Sequence, residues 1–405
     1  MSHTNVRLLI IGGGIGGLTT ALALAKRGRE VHVIERASEF SEIGAGIQIA
    51  PNASRVFDEI SVLADLHACA VLPARIVWMD MISGKRLTDL DLGAPFLERY
   101  TYPYMVLHRS DLLDVLLRAA RHDPRITLET DRDVVEIVAG GDYVDVRCAN
   151  GASYRADALI AADGLWSKGR ALIEPASTPN YDHFIAYRGA IPIASVSEHA
   201  GLDNVMLWSG PNRHFMQYPV RRGELFNQVA VFRSTNPSPN SDDWGGPAEL
   251  DAAYADVCPQ LRVGLALIQR DRHWVMADRS PLERWTAGRM TLLGDSAHPM
   301  YQYAAQGACQ AVEDASALAE SIAREPDVVS AFHAYESTRK LRTERVQRTA
   351  RWFGDVMHLS GVGAVFRNRV LAERSSQSYE EFDFLYGYGT TRGSSARTID
   401  DLLTV

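Results

Sequence analysis

The residues of this chain best suited to chemistry begin with a phosphate cradle. Gly12-Gly13-Gly14-Ile15-Gly16-Gly17 follows a short apolar run, residues 6–11, and leads into a helical stretch, residues 18–26. Gly12, Gly14 and Gly17 fall on the spacing G-x-G-x-x-G. The first glycine allows a tight turn, the second lets backbone approach a pyrophosphate, and the third lets helix and strand pack closely. A helix starting there offers unpaired N–H groups and partial positive charge to phosphates. A second apolar run, residues 31–34, ends in Glu35, placed to accept hydrogen bonds from a ribose. A Gly-rich loop alone is weak evidence. Strand, loop, helix, strand and acid within one unit point to a dinucleotide-binding βαβ fold.

The elements that must position these residues are partly legible. Gly44-Ala45-Gly46-Ile47-Gln48 and Pro51-Asn52-Ala53 read as a loop entering a helix. Residues 112–121 read as helix, 134–137 and 143–147 as strands joined by a turn, and 158–162 as a strand ending at Asp163-Gly164. Between 185 and 232, three segments alternate apolar and polar residues at period two, as half-buried antiparallel strands do. His214 and Tyr218, four apart on one of them, share a face. Residues 290–295 read as a short strand ending at Gly294-Asp295, and 311–351 as one helical stretch. Residues 236–241 read as a surface loop, and the polar tail after 390 as mobile. There are no internal repeats. The expected fold class is mixed α/β. A Rossmann-like unit of residues 1–180 and 276–350 is interrupted by a β-sheet unit of 181–275, with a helical segment and tail at 351–405.

Composition excludes several classes. The chain has 405 residues and a net charge of −8, with no nucleic-acid footprint. No apolar run reaches the length of a membrane span, and Met1 leads into a strand without a signal-peptide pattern. Cys69, Cys148, Cys258 and Cys309 show no C-x-x-C spacing. That argues against a metal site or disulfide framework, suits a reducing cytoplasm, and leaves the cysteines as small buried apolar residues.

Three separated pieces together resemble one family. They are Gly12 to Gly17 with Glu35, then Asp163-Gly164-Leu165-Trp166-Ser167 with Arg170, then Gly294-Asp295-Ser296-Ala297-His298-Pro299. In this order they resemble the single-component flavin aromatic hydroxylases, the group that includes p-hydroxybenzoate and salicylate hydroxylases. The resemblance runs from residue 6 to about 389. It implies FAD held noncovalently, NADH or NADPH visiting as co-substrate, and O2. It implies Asp295 on the ribityl chain of FAD, and a helix starting near Gly307 aimed at the flavin ring. It places Arg109 near the pyrophosphate, Asp163 and Gly164 where both nucleotides are served, and Gln48 in the cofactor set. His298 is expected to support the flavin loop. A homodimer is a family-level expectation.

Further text resembles the members that hydroxylate 3-hydroxybenzoate para to its hydroxyl group, giving gentisate. It includes Gly44-Ala45-Gly46-Ile47-Gln48, the segment from Pro103 to Leu112, Ala186-Tyr187-Arg188-Gly189, His214-Phe215-Met216-Gln217-Tyr218-Pro219 and Gln302-Tyr303. The chain departs from that pattern at Met300-Tyr301 and at Gln306. The resemblance implies that His214 accepts the phenol proton and that Gln302 bonds the same oxygen. Reduced flavin would take up O2 as a hydroperoxide and transfer its distal oxygen to the ring. Tyr104 or Tyr218 is expected on the substrate carboxylate, in competition with plain core packing. Trp78, Trp208, Trp244, Trp285 and Trp352 are expected to pack only. The alternatives are a salicylate or N-heteroaromatic carboxylate hydroxylase, a flavin oxidoreductase without oxygen insertion, and a non-catalytic flavoprotein.

Overall fold

A computed structural model describes residues 3–41, 45–196, 202–236 and 244–389. The tail after 390, Gly44, and positions 237–241 of the expected surface loop lie outside the described residues. The opening βαβ unit forms as expected. Strand Thr4–Ile11 and strand Val31–Ile34 run parallel and flank helix Ile15–Lys26 in sequence. Leu9, Ile10, Val33 and Ile34 are fully buried, as a parallel sheet covered on both faces requires.

This sheet has eight strands. Its main path runs from Thr286–Ala287 through Met290–Leu292, Ser153–Ala161, Thr4–Ile11 and Val31–Ile34 to Ile126–Glu129. Strand Ser153–Ala161 begins five residues before the apolar run that marks it in sequence. Its polar first half pairs antiparallel with Val144–Cys148, while its apolar end is parallel to Met290–Leu292. Only the half buried by helices carries the hydrophobic signal.

The second sheet has seven strands, in the order His273–Val275, Phe184–Pro192, Leu225–Arg233, Arg213–Val220, Asn204–Gly210, Arg75–Asp80 and Arg86–Asp91. Two expectations change here. The strands at 75–80 and 86–91 join this sheet, although the sequence placed them with the nucleotide unit; Arg75–Asp80 pairs parallel with Asn204–Gly210. The strands are also not half-buried. In Leu225–Arg233, every residue from Phe226 to Phe232 is buried. One face packs on helices Pro247–Ala253 and Pro259–Leu265 through Trp208, Phe215 and Phe232. The other packs Leu207, Val229 and Val231 with Tyr303 and Met357. Polar side chains of this strand are spent inside the protein, one on each face. Asn227 Oδ1 accepts from Gly46 N at 2.6 Å, and Gln228 Nε2 donates to Gly264 O at 2.7 Å.

The helical stretch expected at 311–351 is two helices, Gly307–Arg324 and Val328–Met357. Pro326 interrupts it, since proline has no N–H and disfavours helix at the residue before it. Asp327 then caps the second helix by accepting from Val329 N and Ser330 N. Helices Gly361–Ala372 and Asp383–Tyr386 follow. Trp78, Trp208, Trp244 and Trp285 are buried as expected, but Trp352 is 58% exposed on the long helix. Cys69 is only partly buried, whereas Cys148, Cys258 and Cys309 are buried thiols. No described helix is long and apolar enough to cross a membrane.

Candidate active site

Four parallel strands end side by side, and each ends at a candidate residue. Ile11 is followed by Gly12, Ile34 by Glu35, Ala161 by Ala162-Asp163, and Leu292 by Leu293-Gly294-Asp295. The carboxyl ends of such strands are where open α/β sheets bind ligands. A cavity of about 440 Å³ lies there, reaching across to the second sheet.

The glycine loop is built as its spacing demands. Gly12 adopts φ +104°, and a Cβ there would sit 2.3 Å from Ala162 O. A Cβ on Gly17 would sit 1.9 Å from Gly12 O, so the third glycine lets the helix close on the loop. Gly14 faces the cavity as the N-cap of helix Ile15–Lys26, without a side-chain cap. Glu35 is held by Gly13 N at 2.7 Å and Ala37 N at 3.0 Å.

The second and third motifs interlock. Gly164, at φ +79°, donates from its N–H to Ser296 Oγ at 2.9 Å, and Ser296 Oγ donates to Asp163 Oδ1 at 3.1 Å. Arg170 is buried and donates to Ala297 O at 2.8 Å and Ser280 O at 2.9 Å. Burial, then Arg279, lowers its guanidinium to about 10. Asp295 opens onto the cavity. Desolvation raises its carboxyl above the usual range, against the pull of His298 and Arg109.

Beneath Asp295 lies a buried charge network. His298 Nε2 meets Asp314 Oδ2 at 2.6 Å, and Gly294 N donates to the same oxygen at 3.0 Å. Arg339 bridges Asp314 at 2.7 Å and Glu313 at 2.5 Å, and Arg342 meets Glu313 at 2.6 Å. The departure at Gln306 belongs to this network rather than to the cavity. Its Oε1 accepts from Asn52 Nδ2 at 3.0 Å and from Gln310 Nε2 at 3.0 Å. Together these bonds seat helix Gly307–Arg324, whose N-cap Gln306 supplies no side-chain cap. Gly307 and Ala308 line the cavity.

The far wall comes from the second sheet. His214, Met216 and Tyr218 alternate along strand Arg213–Val220 and all line the cavity. Gln48, Arg109, Met300 and Gln302 line it too. Tyr104 is not among the lining residues. It is buried, and its hydroxyl donates to the Oε1 of the lining residue Gln48 at 2.8 Å. Tyr301 is likewise buried, tilted against Tyr303 at 5.4 Å between ring centroids, with the Arg351 guanidinium over its face. His214 is 3% exposed. Burial, then His358 and Arg188, hold it well below the ordinary histidine value.

Two residues, one lining this wall and one behind it, carried no role in the sequence reading. Arg188 lines the cavity, donates from Nη2 to Gln302 Oε1 at 2.6 Å, and leaves Nε buried without a partner. Burial, then Arg109, lowers it to about 10. The available signal was an arginine set in the apolar run around Ala186-Tyr187. His358 touches His214 from the end of helix Val328–Met357, and no local pattern marks it.

The donor set fits a flavin dinucleotide. Two helices without side-chain caps begin on one cavity, which Gly14 lines at the first and Gly307 at the second. Their free N–H groups suit the pyrophosphate and the pyrimidine edge of a flavin. Glu35 stands beside the first, and Arg109 and Asp295 line the space between.

Comparison with known proteins agrees. The family described as an FAD binding domain matches residues 5–350. The 3-hydroxybenzoate 6-hydroxylase of Klebsiella oxytoca is 35% identical over 392 residues, 95% of this chain and 97% of that protein. The 3-amino-4-hydroxybenzoate 2-monooxygenase PtmB3 of Streptomyces platensis is 32% identical over 397 residues, 96% of this chain and 97% of that protein. Among solved structures, Klebsiella pneumoniae HpxO complexed with FAD and uric acid superposes with a TM-score of 0.81 at 25% identity, covering 91% of this chain and 93% of that one. With the glycine loop, the aspartate of the fourth strand and the two helix ends meeting at one cavity, these matches show that the chain belongs to the FAD-dependent aromatic-ring monooxygenases.

Proposed function

We propose that this enzyme hydroxylates a phenolic aromatic acid with NAD(P)H and O2, and that its preferred substrate is 3-hydroxybenzoate, oxidised para to its hydroxyl. The observation that carries this reading is the trio His214, Gln302 and Arg188 on one wall of the cavity. FAD, when bound, would carry two electrons from NAD(P)H to O2, so that one oxygen atom of O2 goes to the ring and the other leaves as water. The protein's part is to bind the ring, activate it and keep water away.

Arg188 is a desolvated cation with donor capacity left over, and it calls for an anion. An aromatic carboxylate matches the guanidinium fork. Tyr218, four residues from His214 on the same face, can donate its hydroxyl to the same carboxylate. Because Gln302 Oε1 already accepts from Arg188, its Nε2 is the group left to donate into the cavity, where a phenol oxygen can receive it. His214 is neutral, so it can take the phenol proton, and an ionised phenol is the better nucleophile. Met216, Val229, Met300 and Met357 line the remaining wall and limit water. On this reading Gly12, Gly14, Gly17, Glu35, Gln48, Arg109, Asp163, Gly164, Asp295 and Gly307 serve the cofactor. Tyr104 acts by orienting Gln48.

The substrate assignment follows the relatives, which at 35% identity act on 3-hydroxybenzoate and at 32% on an aminohydroxybenzoate. A panel of monohydroxybenzoates, aminohydroxybenzoates and hydroxynicotinates tests it, with NAD(P)H oxidation followed and products separated by chromatography. The expected result is fastest coupled turnover with 3-hydroxybenzoate, giving the 2,5-dihydroxy acid. Faster coupled turnover with another ring overturns the substrate, and NAD(P)H oxidation that never yields hydroxylated product overturns the reaction.

A further inference from the structure

His214 does not face the cavity alone. Its Nδ1 lies 2.9 Å from His358 Nε2, and the two rings stack at 5.2 Å with 23° between their planes. His358 is packed in turn against Phe184, at 4.7 Å and 24°, and against the edge of Tyr303, at 5.3 Å and 86°. Its backbone is pinned as well, His358 O accepting from Asn212 N at 3.1 Å. Two histidines separated by 144 positions are thus locked in one geometry, with one hydrogen between two facing nitrogens.

Two tautomers satisfy that contact. In one, His358 Nε2–H donates to His214 Nδ1, and His214 would then show an N–H to the cavity. In the other, His214 Nδ1–H donates to His358 Nε2, and His214 Nε2 is a bare acceptor. Only the second can take a proton from a phenol.

We infer that His358 is a positioning residue for the hydroxylation: by accepting the Nδ1 hydrogen of His214 it holds that ring as a proton acceptor toward the substrate. This rests on the reading of His214 given above. In the step itself the phenol O–H bond breaks and its electron pair stays on oxygen. The proton joins His214 Nε2, and the Nδ1 proton is shared with His358 Nε2, which spreads one positive charge over two rings.

The surroundings require such sharing. His214 faces Arg188 from strand Phe184–Pro192 and the Tyr303 ring from the segment Gln302–Ala304, while Tyr254 donates its hydroxyl to His214 O at 2.7 Å. His358 faces Arg367 from helix Gly361–Ala372, and Arg367 stands 4.0 Å from Asp80. Burial first, then His358 and Arg188, lower His214, and burial first, then Arg367, lowers His358 to about 3. Neither ring holds a full charge unaided.

The test compares His358→Gln, His358→Asn and His214→Ala in FAD-loaded enzyme. Gln can place an acceptor where Nε2 was; Asn is too short to do so. Product per NAD(P)H, FAD content and the rate of flavin reduction are measured across pH. His214→Ala should lose roughly 10²-fold in hydroxylation. His358→Asn should lose roughly tenfold in product per NAD(P)H, with FAD content and flavin reduction kept. His358→Gln should stay within roughly threefold of the parent. The Asn defect should shrink as pH rises toward the range where a phenol ionises unaided. Equal, pH-independent losses in both His358 variants overturn the inference. So does full coupling in His358→Asn while His214→Ala is uncoupled, which leaves the reading of His214 standing. Full coupling in His214→Ala removes that reading itself.

Discussion

Two groups of ionisable residues, one beneath the cavity and one lining it, behave in opposite ways. In the network under helix Gly307–Arg324, burial disfavours every charge, yet close partners outweigh it. Glu313, desolvated but held by Arg342 and Arg339, is pulled down to about 2, Asp314 falls as well, and Arg339 rises. In the cavity the shifts run toward neutrality: Arg188 and His214 down, Asp295 up. The physical difference is pairing. Glu313, Asp314 and Arg339 are each bonded to an opposite charge at 2.5–2.7 Å. Arg188 has an amide oxygen for a partner and His214 another histidine. The ionised groups of the network find their counter-charges within the protein, whereas Arg188 faces the cavity with no opposite charge beside it among the described residues.

The sharpest way to break this contrast is to remove one charge from each group. Arg339→Leu takes one partner from each of two buried carboxylates, leaving Glu313 to Arg342 and Asp314 to His298, and should cost about 3 kcal/mol in urea unfolding. A loss near zero would show that the network is not the scaffold. Arg188→Met removes a cation that has no ionic partner among the described residues. It should leave unfolding stability no lower, while weakening binding of the aromatic acid by about 10²-fold, read by flavin fluorescence titration. A protein destabilised as much as Arg339→Leu would place Arg188 in the scaffold class.

Glu35 tests the intermediate case, a carboxylate satisfied by the backbone N–H groups of Gly13 and Ala37. Glu35→Ala should weaken FAD retention by about tenfold, with turnover at saturating FAD nearly unchanged. A large loss of turnover in FAD-saturated protein would move Glu35 to the reacting end.

The smallest effect is in acid. His214 and His358 stay neutral in the folded protein, so below the ordinary histidine value of 6.5 the unfolded chain binds protons that the native one refuses. Stability should fall as pH drops from 6.5. Glu313 acts in the other window, its contribution full above the ordinary carboxylate value of 4.5 and lost as pH falls toward about 2. His358→Gln should therefore flatten the stability profile between 6.5 and 4.5. An unchanged slope there would mean that His358 is charged in the folded state.

The parts of the site that were legible are the local ones. Gly12, Gly14 and Gly17 announce a turn by spacing alone, and His214 and Tyr218 share a face because a strand repeats every two residues. Burial was misread on the same sheet: Asn227 and Gln228 are adjacent and so face opposite sides, yet both are buried and bond Gly46 and Gly264. Tyr104 shows the limit for aromatics: its place in the chain does not say whether it faces the cavity or stands one layer behind, on Gln48. Pro326 was a visible helix breaker whose effect the helical composition on both sides hid.

The sequence by itself determined the cofactor class, because a glycine loop, its helix and Glu35 form one contiguous βαβ unit whose chemistry needs no distant partner. It also determined which motifs had to meet, since Gly12, Glu35, Asp163 and Asp295 each stand just past a short apolar run. Tertiary structure alone decided which charges are paired beneath the cavity and which line it. That distinction depends on whether a buried group finds an opposite charge within hydrogen-bonding distance. The partners are as far apart in the chain as Arg188 and Gln302, or His214 and His358. No local propensity records such pairings; they exist only once two sheets and a long helix have closed around the same space.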